Sequence, residues 1–268
     1  MSQNSFVETL DLAHDARLGA LRDPTSGLTR RDLHRGADTK ERTDTLPGGI
    51  SVNWRAAVNA GALISFVAGL TEAQMSDVLY STQLAQRAAN AKHDRFAATR
   101  EWYGLYADVL TRLGWVGEGF AFTQRGNTSG DFTMDKSALD VIMAVATGNQ
   151  LAILVKSLDT LKGLADGNGA IRVFEMQALS ELSGNFQIGA AQLAENGALS
   201  LALGGFHFRT RDARRRVLFV SWGAEEIEFW TGVQKLTLNA EHYAKHRSAV
   251  AKRLAADAAD YIAELEIA

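Results

Sequence analysis

The chain has 268 residues, of which 46% are hydrophobic and 22% charged, and its formal net charge is −3. That length can bury a sizeable core unaided, and the mildly acidic balance gives no reason to expect nucleic-acid binding. There is no cysteine, which excludes disulfides, thiolate catalysis, thiolate metal sites and S-acylation.

The N-terminus, MSQNSFVETLDLAHD, is polar and acidic and does not read as a Sec signal peptide. No run approaches the roughly 20 apolar residues of a membrane-spanning helix. The expectation is a protein made soluble in the cytoplasm and released by another route to act at target membranes. Residues 1–47 mix both charge signs with Gly, Ser and Thr and hold both prolines, Pro24 and Pro47. Apart from one weak helix around SFVETLDLAHDARLGAL, this stretch offers too little apolar surface to offset the entropy of ordering. It is expected to be a flexible arm or removable pro-segment, with residues 48–268 forming the folded domain.

From Ile50 the composition changes. ISVNW and ALISF read as short strands. LTEAQMSDVLYSTQ opens a helix with a capping box, Thr71 as N-cap and Gln74 three residues on. RFAATREWYGLYADVLTRLG continues as a second helix that Gly114 stops. WVGEGFAFTQRG alternates through Phe120 and Phe122 as a strand. Asp135 is read as the N-cap of an apolar helix over Leu139 to Ala146, and GNQLAILVKSLDTLKG as its partner.

A run of strands follows. NFQIGAAQL and ALSLALGGFHFRT are joined at Glu195-Asn196-Gly197, a hairpin in which both turn residues are expected to take positive φ. RRVLFVSW and EEIEFWTGVQKLTL complete a four-strand meander, and Asn239 caps a C-terminal helix. The fold class expected is α+β: a single central, mostly antiparallel sheet with two helical hairpins on its faces.

No catalytic constellation can be assembled: GxSxG, Walker A, HExxH and EF-hand patterns are all missing. His242 and His246 stand one helical turn apart but lack a third ligand, so no metal is expected. His207 lies between Phe206 and Phe208 and should face away from them. Arg209, Arg211, Arg214, Arg215 and Arg216 crowd one turn, a solvated hairpin tip or a contact for anionic headgroups, worth about 1 kcal/mol per basic residue near a charged surface.

The NFQIGAAQ strand, the turn after it, ALSLALGGFHF, the charged turn and RRVLFVSW together resemble the Cyt-type cytolytic δ-endotoxins. ALISFVAGLTEAQMSDVLYSTQLAQRAANAKHD and TLNAEHY are similar to bacterial virulence factors of the Evf type. The resemblance covers about residues 60–268. It implies a Cyt-like fold, lipid binding without a protein receptor, permeabilisation of bilayers and activation by removal of an N-terminal segment. Evf-type proteins carry a fatty acid on a cysteine in the loop after the NFQI-like strand, a position near Ala190 or Ala191. Without cysteine, any fatty acid or phospholipid here must be bound non-covalently.

The functional expectation is therefore a lipid-binding, cytolysin-like toxin or virulence protein, homo-oligomeric and not an enzyme. The alternatives are a non-lytic lipid carrier, or a self-assembling structural protein that uses its arm. Leu139, Ile142, Met143, Leu151, Leu154 and Val155, with Arg211, Arg214, Arg215 and Arg216, are the expected lipid contacts.

Overall fold

The computed structural model describes residues 5–13, 42–45, 51–59, 61–117, 119–125, 132–163, 169–211, 216–223 and 227–263. The strands are β1 (Arg42–Thr45), β2 (Ser51–Asn59), β3 (Ala62–Phe66), β4 (Trp115–Val116), β5 (Thr123–Arg125), β6 (Phe132–Thr133), β7 (Leu179–Ser180), β8 (Ser183–Leu193), β9 (Leu199–Thr210), β10 (Ser221–Trp222) and β11 (Ile227–Leu238). The helices are α1 (Ser5–Glu8), α2 (Glu72–Lys92), α3 (Thr99–Arg112), α4 (Met134–Ile142), α5 (Gly148–Gly163), α6 (Gly169–Ala178), α7 (Ala240–Ala244) and α8 (Arg247–Ala263). Among the described residues nine strands form one sheet, ordered β1-β2-β3-β8-β9-β11-β4, with β5 added along β11 and β7 along β8. Only β3 and β8 run parallel; the other pairings are antiparallel, so the sheet is mostly antiparallel as expected.

Two apolar layers cover the sheet. On one face α2, α3 and α8 bury Val78, Leu84, Trp102, Tyr106 and Val250 against Leu201 and Leu203. On the other, α4, α5 and α6 bury Ile142, Leu154, Leu158 and Phe174 against Phe186, Ile188, Ala202 and Phe206. Each strand supplies both layers because successive side chains leave opposite faces. The central pair Gly204-Gly205 sets how closely the layers approach. A Cβ at Gly204 would come within 2.8 Å of Ile142, and one at Gly205 within 2.9 Å of Tyr103.

Local signals explain the helix ends. Thr71 Oγ1 accepts from the Gln74 amide while Gln74 Oε1 accepts from the Thr71 amide, completing the capping box. Gly114 follows α3 with φ +101°, and Asn239 caps α7 by accepting from the His242 amide.

Several expectations need correction. Phe120 and Phe122 lie between β4 and β5, not in one strand. Both rings turn onto Tyr103, at 4.9 and 4.5 Å, and Gly119 takes φ +81°. Asp135 is not the N-cap of α4; Thr133 holds that position, and the helix ends at Ile142 rather than Ala146. In the Glu195-Asn196-Gly197 hairpin only Gly197 has positive φ, while Asn196 Oδ1 accepts from the Ala198 amide. RRVLFVSW is not a strand of the meander. β9 and β11 pair directly along their lengths and leave it no slot. Phe219 breaks it at φ 63°, and only Ser221–Trp222 pairs, with β6. IRVFEMQA, unassigned by pattern, is helix α6.

Part of the expected arm is described. Val7 is fully buried beside α2 and α8, and Asp11 pairs with Lys92. Arg253 donates to the Leu10 carbonyl at 2.7 Å, and Arg87 to that of Ala13 at 3.2 Å. β1 pairs with β2. Pro24 and Pro47 lie outside the described residues.

Candidate membrane interface

The sequence NFQIGA places Asn185 and Gln187 on one pleat face, and Phe186, Ile188 and Ala190 on the other. β9 repeats the division. Ala202, Phe206 and Phe208 join the apolar side, and His207 faces away from Phe206 and Phe208 as expected. β11 adds Ile227, Phe229 and Val233 to the apolar side, leaving Trp230 and Gln234 on the polar one. The sheet core is thus apolar on one face, while the other, polar face sets Asn185, Gln187, His207 and Gln234 beside the apolar Leu201, Leu203, Leu236 and Leu238.

The layers lying on these faces are held differently. On the polar face, the buried Arg95 guanidinium donates to the Asn185 carbonyl at 2.9 Å. Asn185 Nδ2 donates to the Arg95 carbonyl, and the Tyr103 hydroxyl to Asn185 Oδ1 at 2.9 Å. Gln86 Nε2 donates to Gln187 Oε1 at 2.8 Å. Burial holds the Tyr103 hydroxyl well above the usual phenol range, so it remains a donor. Some hydrogen-bonding capacity here is unfilled: Gln86 Oε1, Gln187 Nε2, Gln234 Nε2 and the Tyr106 hydroxyl are buried without a partner.

On the apolar face the contacts are dispersive and hydrophobic. Neutral groups add a few hydrogen bonds. Ser65 Oγ donates to Ser157 Oγ at 2.8 Å, Gln150 Nε2 to the Ala190 carbonyl at 2.8 Å and Thr147 Oγ1 to Gln192 Oε1 at 2.8 Å. Thr147 and Gln150 also form a capping box at the start of α5, a signal present in TGNQ. Of the charged side chains of this hairpin, Lys136, Asp140, Asp159 and Lys162 are exposed, Asp135 and Lys156 are half-buried, and Asp135 Oδ1 is buried without a partner.

The expected lipid contacts are divided between the two sides of the hairpin. Ile142 and Leu154 are fully buried on the sheet, while Leu139 and Leu151 are half-buried. Met143 and Val155 face outward, 54% and 40% exposed. Arg211 and Arg216 are exposed; Arg214 and Arg215 lie outside the described residues. The segment after the basic turn rests on the apolar layer, burying Val217 and Leu218. Lys162 Nζ lies 5.9 Å from the Phe219 ring.

Pattern reading missed Glu175, a carboxylate buried on α6 whose burial pushes its pKa up to about 7, against the pull of Arg216. His242 and His246 approach to 4.9 Å between ring centroids, but His242 Nε2 is taken by the Arg112 carbonyl. No cluster of three potential metal ligands exists among the described residues. Among the same residues, no helix is long and apolar enough to cross a membrane.

No protein-family model and no curated protein sequence matches the chain. Solved structures do. A δ-endotoxin is similar over 74% of this chain and 86% of its own, at 13% identity and a TM-score of 0.41. The Evf virulence factor is similar over 83% and 85%, at 12% identity and a TM-score of 0.34. The activated Cyt2Ba monomer from Bacillus thuringiensis subsp. israelensis is similar over 65% and 94%, at 10% identity and a TM-score of 0.38. Ala190 and Ala191, expected from the sequence to lie in a loop after the NFQI strand, fall inside β8 and are fully buried.

Proposed function

We propose that the protein is a lipid-binding, membrane-active toxin or virulence protein that permeabilises bilayers by exchanging its α4–α5 layer for lipid. The observation that carries this reading is the two-faced sheet. Apolar contacts have no directional partner, and acyl chains offer the same environment as the side chains they would replace. Lys136, Asp140, Asp159 and Lys162 of the α4–α5 hairpin are exposed and Asp135 Oδ1 is buried, so the hairpin has little buried charge to hold it when it meets a bilayer surface. Its outward Met143 and Val155, with the basic turn at Arg211 and Arg216, supply the first contacts.

β8, β9 and β11 have 11, 12 and 12 residues. A strand needs about 9–11 residues to cross the hydrocarbon core. Spanning strands alternate apolar outward and polar inward; these three carry that division at Asn185, Gln187, His207 and Gln234, while Leu201, Leu203, Leu236 and Leu238 keep the rest of the second face apolar. The unfilled polar groups on the other face would find water in a lumen. A three-stranded ribbon leaves unpaired edges that hydrocarbon does not tolerate, so several copies must pair edge to edge. Oligomerisation on the membrane is therefore part of the proposal.

Dye release from liposomes tests it, comparing the full chain with a version beginning near Pro47. Release by either form supports the reading. Release only after trimming makes the N-terminal segment an inhibitor. No release by either, from anionic and from zwitterionic vesicles, refutes it.

A further inference from the structure

A cavity of about 390 Å³ opens on the polar face of the sheet where α3 begins. Three neighbouring strands build its floor. β9 supplies His207 and Arg209, two residues apart and so on one face. β11 supplies Trp230, opposite His207 in register, and β5 supplies Gln124, opposite Trp230. The first turn of α3 forms one wall through Thr99, Arg100 and Glu101. Its N-cap, Ala98, offers no side-chain acceptor, which leaves the helix N-terminus open to an anion.

The groups in the cavity are sharply specified. His207 is buried, with its ring stacked on Trp230 at 5.3 Å. Its Nδ1 lies 3.0 Å from the Gly184 carbonyl, which can only accept, so Nδ1 carries the proton and Nε2 the lone pair. Burial lowers the pKa of the ring to about 4, with Arg209 acting in the same direction, so the imidazole is neutral. Nε2 bonds to no described residue and is a free acceptor on a ring that lines the cavity. Arg209 lies 5.8 Å over the Trp230 ring, and Arg100 makes no hydrogen bond or ion pair with a described residue. With Glu101 at the rim, the lining carries two cations and one anion.

We infer that this cavity binds a phosphorylated sugar or polyol. Two guanidinium groups and an open helix N-terminus fit a phosphate dianion. A neutral Nε2 has nothing to accept from that phosphate dianion and is matched by a hydroxyl donor next to it. The Glu101 carboxylate, which would repel a bare anion, accepts from a second hydroxyl. The Trp230 ring offers an apolar platform for the C–H face of the carbon skeleton. The volume is that of a small-ligand site. The ligand is either a free sugar phosphate or the headgroup of a phosphoinositide-type lipid, which share this chemistry. The inference does not depend on the membrane reading, because one arm of its test contains no lipid.

The test is isothermal titration calorimetry of the full chain with glucose 6-phosphate, glucose and inorganic phosphate. Alongside it runs cosedimentation with phosphatidylcholine vesicles, with and without phosphatidylinositol phosphate. Arg100→Gln and Arg209→Gln change exposed side chains and leave the core intact, which circular dichroism checks. Binding of glucose 6-phosphate tighter than inorganic phosphate, and weakened tenfold or more by each substitution, supports a soluble ligand. Cosedimentation that depends on the inositol phosphate headgroup and on both arginines supports the lipid source. Inorganic phosphate binding as tightly as the sugar phosphate overturns the assignment. So does binding in neither arm, or binding indifferent to both substitutions.

Discussion

If the α4–α5 layer must leave the sheet, a covalent tie across that interface abolishes activity without harming the fold. Ser65 on β3 and Ser157 on α5 are suited to it. Both are buried, their hydroxyls are 2.8 Å apart, and they lie 92 residues apart in sequence. Replacing the pair, Ser65→Cys with Ser157→Cys, gives a protein with a single disulfide to form, since the chain has no other cysteine. The energetics explain why such a tie matters only at a membrane. Met134, Val141, Ile142, Ile153, Leu154, Leu158 and Leu161 are all buried in this layer. At about 1.5–3 kcal/mol each, exposing them to water costs roughly 10–20 kcal/mol, so separation in solution is negligible. Against acyl chains that cost disappears. Closing a loop of this length stabilises the fold by about 4–5 kcal/mol on the chain-entropy account. The oxidised variant should therefore melt higher than the reduced one, which verifies that the tie has formed in a native fold. Dye release from vesicles should fall to the protein-free background when oxidised and return on adding reductant. A heat-stabilised, oxidised protein that releases dye as fast as the reduced one would refute the separation step.

Further consequences concern stability. Glu175 is protonated more readily in the fold than in the unfolded chain, its pKa raised to about 7 from 4.5. Stability is then lost as pH rises from about 4.5 through 7, and Glu175→Gln should flatten that decline in denaturant titrations at pH 5 and 8. His207 carries the opposite sign: its pKa falls from 6.5 to about 4, so stability is lost as pH drops through that interval. His207→Gln should remove the acid-side loss. The Asp77–Arg247 pair is asymmetric, its carboxylate side chain 5% exposed and its guanidinium 47%. Arg247→Met strands a buried charge and should cost about 3 kcal/mol or more, whereas Asp77→Asn, releasing Arg247 to solvent, should cost about 1 kcal/mol. Gly184→Ala would bring a Cβ within 2.1 Å of the Phe208 ring, and overpacking of this kind should cost about 1–3 kcal/mol by urea denaturation.

The fold was legible where local chemistry and burial agree. The capping box at Thr71 and Gln74, the stop at Gly114 and the cap at Asn239 are local signals, and each element begins or ends at them. The central strands were legible because aromatic and β-branched residues alternate with polar or small ones. Pattern failed where tertiary pairing decided. RRVLFVSW is as strand-like as its neighbours, yet β9 and β11 claim each other's edges, and Val217, Leu218 and Trp222 are buried in the apolar layer instead. The candidate interface was half legible. The apolar hairpin could be read from composition, but which of its residues face the sheet could not, because Leu139 to Val155 is apolar nearly all round. The alternation in NFQI held the more informative signal, the polar face. Its meaning depends on what lies opposite Asn185 and Gln187, and no local sequence specifies that.

The contrast between the two layers also orders the events the proposed function requires. Detaching α2–α3 first would strip Arg95 of the Asn185 carbonyl and expose a buried guanidinium to hydrocarbon, a cost of several kcal/mol that nothing in lipid returns. Detaching α4–α5 first breaks the hydrogen bonds of Ser157, Gln150 and Thr147 to the sheet, all among neutral groups and each worth about 1 kcal/mol net, and lipid restores the hydrophobic contacts. The polar layer then protects the Asn185–Gln187 face until neighbouring copies enclose enough water to solvate it. On this ordering, Arg95→Met should not slow the binding of monomer to vesicles. It should change the later, concentration-dependent release of dye, because only that step opens the polar face. A variant that binds vesicles more slowly and shows unchanged release kinetics once bound would reverse the order of the two layers.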